Sequence, residues 1–117
     1  MKKMGILLRG GMDDRANAYR RAGTARRIRV EAVLPERADP QLQSALLYRM
    51  CQLAYDAVAV YPENGENLLN RLTGVRCPML TVGLALDAPQ CREVMVTGAT
   101  PDDEAREVLD ALMGLTG

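Results

Sequence analysis

Short apolar runs that alternate with helix-spaced segments constrain this chain more than any other feature. Met4–Leu8 is apolar and is followed by Gly10-Gly11, which suits a buried parallel strand. Ile28–Leu34 alternates apolar and charged residues, with Arg29 and Glu31 on one face, and stops at Pro35. A strand with one polar face belongs near a sheet edge. Ala57–Tyr61 stops at Pro62; Met79–Val82 and Val94–Val96 supply strands four and five, with a loop containing Pro89 between them.

The intervening segments keep helical spacing. The first helix is expected to be capped by Asp13 or Asp14 and to end near Gly23, with Ala16, Tyr19 and Ala22 inward. The second opens on Asp39 as cap and Pro40 in its first turn, with Leu42, Leu46, Met50 and Leu53 inward beside Ala45 and Ala54. After a turn at Asn64-Gly65, Leu68, Leu69 and Leu72 mark a short third helix that ends at Gly74. Thr100-Pro101-Asp102-Asp103 begins the last with a capping-box pattern; Val108, Leu109, Leu112 and Met113 face inward and Gly114 ends it. Strands alternating with helices imply a parallel sheet covered on both faces, and right-handed crossovers make it doubly wound. The expectation is one three-layer α/β domain over residues 1–117, with five parallel strands in the flavodoxin-like order 2-1-3-4-5.

Composition removes several functions. The 117 residues suit one domain, and 48% apolar with 26% charged residues reads as globular. Fifteen basic and fifteen acidic residues cancel, and four Tyr with no Phe or Trp give few stacking platforms, so nucleic-acid binding by this chain alone is not expected. With no His, the Ser-His-Asp triad, the Cys-His pair and the common zinc sets are absent, and no metal or cofactor is expected. Cys51, Cys77 and Cys91 form no CxxC pair and favour a reducing, cytoplasmic compartment. No run approaches the roughly 20 apolar residues of a membrane span, and the apolar stretch at the start is cut off by Arg9, too early for a signal peptide.

Charge is unevenly placed. Residues 1–37 hold ten basic and four acidic residues; residues 38–117 hold five and eleven. Arg20, Arg21, Arg26, Arg27 and Arg29 form a dense group. It reads either as an anion-facing patch or, with more weight, as a solvated helix end and edge strand complementary to acidic helices elsewhere.

In doubly wound sheets the site lies beyond the carboxyl ends of the strands. Here that edge carries Asp13, Asp14, Glu36, Asp39 and Glu63. A GxGxxG loop would need glycines where Met12 and Arg15 stand, and no Gly-Lys-Ser/Thr follows, so nucleotide binding is disfavoured. A receiver-type acidic pocket would need an Asp at the end of strand three, where Tyr61-Pro62 stands. Carboxylates spread over three loops without a base or metal set more often bind polar ligand groups or cap helices.

Several stretches resemble the amino-terminal lobe of periplasmic-binding-protein-like sugar-binding domains, as in lactose-repressor-type regulators and sugar-uptake binding proteins. They are Gly5-Ile6-Leu7-Leu8 before a helix, Ala38–Gln43 opening helix two, Tyr55–Pro62, Cys77–Val82, and Ala105–Leu112 after strand five. Asp13 stands at an Asn-like position, while Gly83-Leu84 and Thr97-Gly98 replace the family's acid after strand four and its Asp-Asn pair after strand five. Members of that family have two lobes with the ligand between them. The resemblance implies a non-enzymatic, sugar-like small-molecule binding or sensing lobe, as a fragment of a regulator or uptake protein, with Asp13, Glu63 and Thr97 as ligand contacts. The alternative is a dimerisation or interaction module with a decayed site; a flavodoxin-like enzyme using the carboxylates is a third reading. Val94, Val96, Leu112, Met113 and Leu115 would lack the second lobe's cover, which predicts a homodimer.

Overall fold

A computed structural model of the chain describes residues 1–64, 77–83 and 91–116. Five parallel strands form one sheet: β1 (Lys3–Leu7), β2 (Arg29–Val33), β3 (Ala57–Val60), β4 (Met79–Val82) and β5 (Cys91–Val94). Their order is β2-β1-β3-β4-β5, as the sequence predicts. Three helices are described: α1 (Asp13–Arg26), α2 (Pro40–Cys51) and α3 (Pro101–Thr116). The expected helix at Leu68–Leu72 and the loop at Pro89 lie outside the described residues. No described helix is long and apolar enough to cross a membrane.

Side-chain alternation along the strands divides the core in two. Met4, Ile6, Ala57, Ala59 and Leu80 pack under α1 and α3, against Tyr19, Val108, Leu109 and Leu112. Leu7, Val58, Val60 and Met79 point the other way, onto Leu47 and Met50 of α2. The edge strands carry the polar residues: β2 exposes Arg29 and leaves Val30–Val33 part-buried, and β5 exposes Arg92 and Glu93.

Several local expectations are corrected. Helix α1 is not capped by Asp13 or Asp14; its cap is Met12, without a side-chain hydrogen bond. Burying the Met12 side chain in the core outweighs a polar cap, and both aspartates sit in the first turn, near the positive end of the helix dipole. Nor does α1 stop at Gly23. A Cβ there would lie 2.5 Å from Val30 Cγ2, so this glycine admits β2 close to the helix, and the left-handed cap is Arg27. The buried face of α2 is Gln43, Ser44, Leu47 and Met50; Ala45 and Leu53 are exposed. The face turns because Gln43, a polar residue, is drawn inward by hydrogen bonds to the backbone of Leu8, Tyr61 and Glu63. Strand five is Cys91–Val94 rather than Val94–Val96, because the four residues of β4 pair opposite it from Met79↔Cys91 to Val82↔Val94.

Asp39 does cap α2, accepting from the N–H groups of Gln41 and Leu42, and Thr100 Oγ1 accepts from the Asp103 N–H at the start of α3. Helix α3 does not end at Gly114 as expected but continues to Thr116. Leu112 is fully buried against the sheet, and Val94, Val96, Met113 and Leu115 are partly buried on the same core, so the apolar patch expected there is largely covered. Met95, at 80% exposure, is the large apolar residue left on that side.

Part of the charge asymmetry is met within the fold, by two arginines of the dense group. Arg21 pairs with Asp102 at 3.0 Å and Arg26 with Asp110 at 3.0 Å, joining basic α1 to acidic α3. These pairs are solvent-exposed and contribute little individually; the shared core under both helices holds them over one face.

Candidate functional site

Parallel strands deliver their carboxyl ends to one edge, and the order reverses between β1 and β3. Gln43 fixes that point. Its side-chain Nε2 donates to the Leu8 carbonyl at 3.0 Å and the Tyr61 carbonyl at 2.7 Å, while its Oε1 accepts from the Glu63 N–H at 2.7 Å. One buried amide thus ties the exits of two adjacent strands. Gly10 brings the β1–α1 loop against the β2–α2 loop, since a Cβ there would sit 2.5 Å from the Arg37 carbonyl carbon. Gly11 and Gly83 take positive φ, +89° each, at turns following β1 and β4.

Beside this point lies a cleft of about 370 Å³, whose walls include Arg9, Met12, Arg15, Tyr61, Glu93 and Glu104. Three of its lining side chains form a connected polar group. Arg15 Nε donates to Glu104 Oε2 at 2.8 Å, and the Tyr61 hydroxyl donates to the same oxygen at 2.5 Å. The Tyr19 and Tyr61 hydroxyl oxygens are 2.7 Å apart. Because the Tyr61 proton goes to Glu104, Tyr19 is the donor in that pair. Burial, the Tyr19 neighbour and the Glu104 charge push the Tyr61 hydroxyl far above the usual phenol range, and burial does the same for Tyr19. Both remain protonated donors at neutral pH. The rings meet edge to face, with centroids 6.3 Å apart.

Two of the three residues expected as ligand contacts are engaged within the protein. Glu63 Oε1 accepts from the Gly10 N–H at 3.2 Å. Thr97 is bound through both its N–H and its hydroxyl to the Glu107 carboxylate, at 2.8 Å each, which holds that carboxyl below its ordinary range. Asp13 is exposed in the first turn of α1. None of the three is in the described cleft wall, although Met12, Tyr61 and Val96, within two residues of them, are.

Sequence reasoning missed Arg15, Tyr61, Glu104 and Gln43. Arg15 and Glu104 stand 89 residues apart, and each alone resembles an ordinary helix-surface charge. Gln43 stands one position off the expected Leu42–Leu46–Met50 stripe and carries no signal of its own in the sequence.

The three cysteines are free and lie at the opposite, amino-terminal end of the strands, on the α2 face. Burial, with Cys51 and Asp56 nearby, pushes the Cys77 thiol up to about 11, and burial also raises Cys51 and Cys91. Cys77 in the folded protein should therefore react with iodoacetamide at pH 8 roughly a hundredfold more slowly than after unfolding. Peptide mapping of timed alkylation measures this, and equal rates would contradict it.

No protein-family model and no curated protein matches this chain. Solved structures do. A galactofuranose binding protein aligns at TM-score 0.61 and 16% identity, covering 76% of this chain and 32% of that one. A periplasmic solute binding protein of an ABC transporter from Actinobacillus succinogenes 130z, with D-allose bound, aligns at TM-score 0.66 and 12% identity, covering 98% and 56%. A fragment from Peptoclostridium difficile 630, described as a lipoprotein, aligns at TM-score 0.69 and 14% identity, covering 99% and 98%. The chain spans about a third of the first and a little over half of the second. With five parallel strands in the order 2-1-3-4-5 and helices on both faces, the chain has the fold of one lobe of a periplasmic-binding-protein-like domain.

Proposed function

We propose that this lobe binds a small, sugar-like polyhydroxylated ligand without transforming it. The observation that carries the reading is the cleft beside the β1/β3 switch point, with the Arg15–Glu104–Tyr61 group in its wall. Fixed donors and acceptors of both kinds suit hydroxyl groups, which donate and accept at once. Asp13, Glu63 and Thr97, adjacent in sequence to the walls, are kept as outer contacts. Structurally similar proteins described as galactofuranose binding or holding D-allose support the ligand class. A role within a regulator or an uptake system, in a reducing cytoplasmic compartment, completes the proposal. So does a homodimer, with the open edge of β5 at the contact.

One open lobe covers one side of a sugar, whereas closed pockets bury about 70–90% of a ligand. The expected affinity is about millimolar, near −4 kcal/mol. Calorimetric titration with pentoses and hexoses at concentrations up to tens of millimolar tests this, with the mass of the same sample read by light scattering. Saturable heat with at least one sugar is expected; none with any sugar overturns the reading.

A further inference from the structure

We propose that Arg15 and Glu104 are the specificity-determining pair of the cleft and read two adjacent hydroxyl groups of the bound ligand. The inference rests on the sugar-like reading and refines it. Glu104 directs one oxygen, Oε2, at both of its protein partners, Arg15 Nε and the Tyr61 hydroxyl. Its other oxygen, Oε1, has no hydrogen bond among the described residues. Arg15 spends only Nε on Glu104, which leaves both terminal guanidinium nitrogens without a partner among the described residues. Both side chains line the cleft, with Glu104 at 13% exposure and Arg15 at 39%.

A held acceptor therefore stands beside a held donor, in one wall, with opposite charges already neutralising each other. The complement is a neutral group that donates at one atom and accepts at the next. A vicinal diol does this: one hydroxyl donates to Glu104 Oε1 and its neighbour accepts from the Arg15 guanidinium. A monodeoxy sugar would displace water from the same atoms without replacing its hydrogen bonds. Sites built around a hydroxyl reject the analogue that lacks it, because a polar protein group is left unpaired. Tyr61 and Tyr19 keep the carboxylate from turning, so the pair is positioned before ligand arrives.

The experiment titrates the full chain calorimetrically with D-ribose, D-allose and D-galactose and with their 2-deoxy and 3-deoxy forms. In the unsubstituted chain, at least one deoxygenation should weaken binding about tenfold. In Glu104→Gln, which can still accept from Tyr61, and in Arg15→Lys, which keeps the charge but loses the planar fork, that penalty should shrink to within about twofold. Arg21→Ala breaks an α1–α3 ion pair away from the cleft and should leave the penalty intact. A purely structural role for the pair would lower the melting temperature of both variants yet preserve the tenfold discrimination, and that result overturns the proposal. Indifference of the unsubstituted chain to every deoxygenation overturns it as well, while leaving the sugar-like reading standing. Absence of binding to any parent sugar removes both. Should one variant fail to fold, the other still decides the question.

Discussion

Replacing Gln43 with alanine is expected to lower folding stability by about 4 kcal/mol. The side chain is fully buried and serves three backbone groups at once: the carbonyls of Leu8 and Tyr61 and the N–H of Glu63. A buried polar group left without a partner costs about 1–3 kcal/mol, and the truncated side chain leaves a cavity as well. Relaxation and water entry recover part of that sum, which sets the expectation below the simple total. Against a typical total stability of about 5–15 kcal/mol the loss is large. Gln43→Leu separates the causes, since it keeps most of the volume and removes the hydrogen bonds; it should lose nearly as much. Urea unfolding of the three proteins measures both. A loss under about 1 kcal/mol in Gln43→Ala would mean that the strand exits hold themselves in place.

The second large effect is expected at Gly10. A Cβ there would lie 2.5 Å from the Arg37 carbonyl carbon and 2.6 Å from the Ala38 nitrogen, both backbone atoms that cannot swing aside. Gly10→Ala must move one of the two loops, and the Gly10 N–H bond to Glu63 Oε1 constrains the movement. Overpacking of this kind costs about 1–3 kcal/mol, and the rigidity of the neighbour puts the expectation near the upper end. Since Arg9, Met12 and Arg15 flank this glycine in the cleft wall, sugar affinity should fall with stability. Gly11→Ala is the informative contrast. Its Cβ would meet nothing within 4 Å, and the strain comes only from φ of +89°. It should cost about 1 kcal/mol. Equal losses at the two positions would show that loop conformation, rather than loop-to-loop contact, governs this corner.

Both expectations concern residues whose importance is invisible in the linear sequence, and the contrast with what was visible is physical. Apolar runs with strand length, proline and glycine stops, and helix-spaced stretches encode local preference and burial together. They carried the strand order 2-1-3-4-5, the polar edge at β2, and the Asp39 and Thr100 caps. The opposed charges of the two ends of the chain likewise anticipated the pairing of α1 with α3. Where a signal was local but outvoted by packing, the expectation failed. Met12 took the cap that Asp13 or Asp14 could have supplied, because its side chain fills the core. Strand five began at Cys91, with Arg92 and Glu93 inside it, because pairing with β4 outweighs the polarity of an edge position.

By itself, then, the sequence determined the class of fold, the direction in which the strands point, and hence the edge where a ligand would be met. Only the tertiary structure decided which side chains stand at that edge. Arg15 comes from the start of α1, Tyr61 from the end of β3 and Glu104 from the start of α3, and no spacing rule links positions 15, 61 and 104. Periodicity reports how a residue relates to its neighbours within a turn or a pleat. Which helix ends share a cleft is set by crossovers that bring distant segments side by side, and that information exists only once the chain has closed on itself.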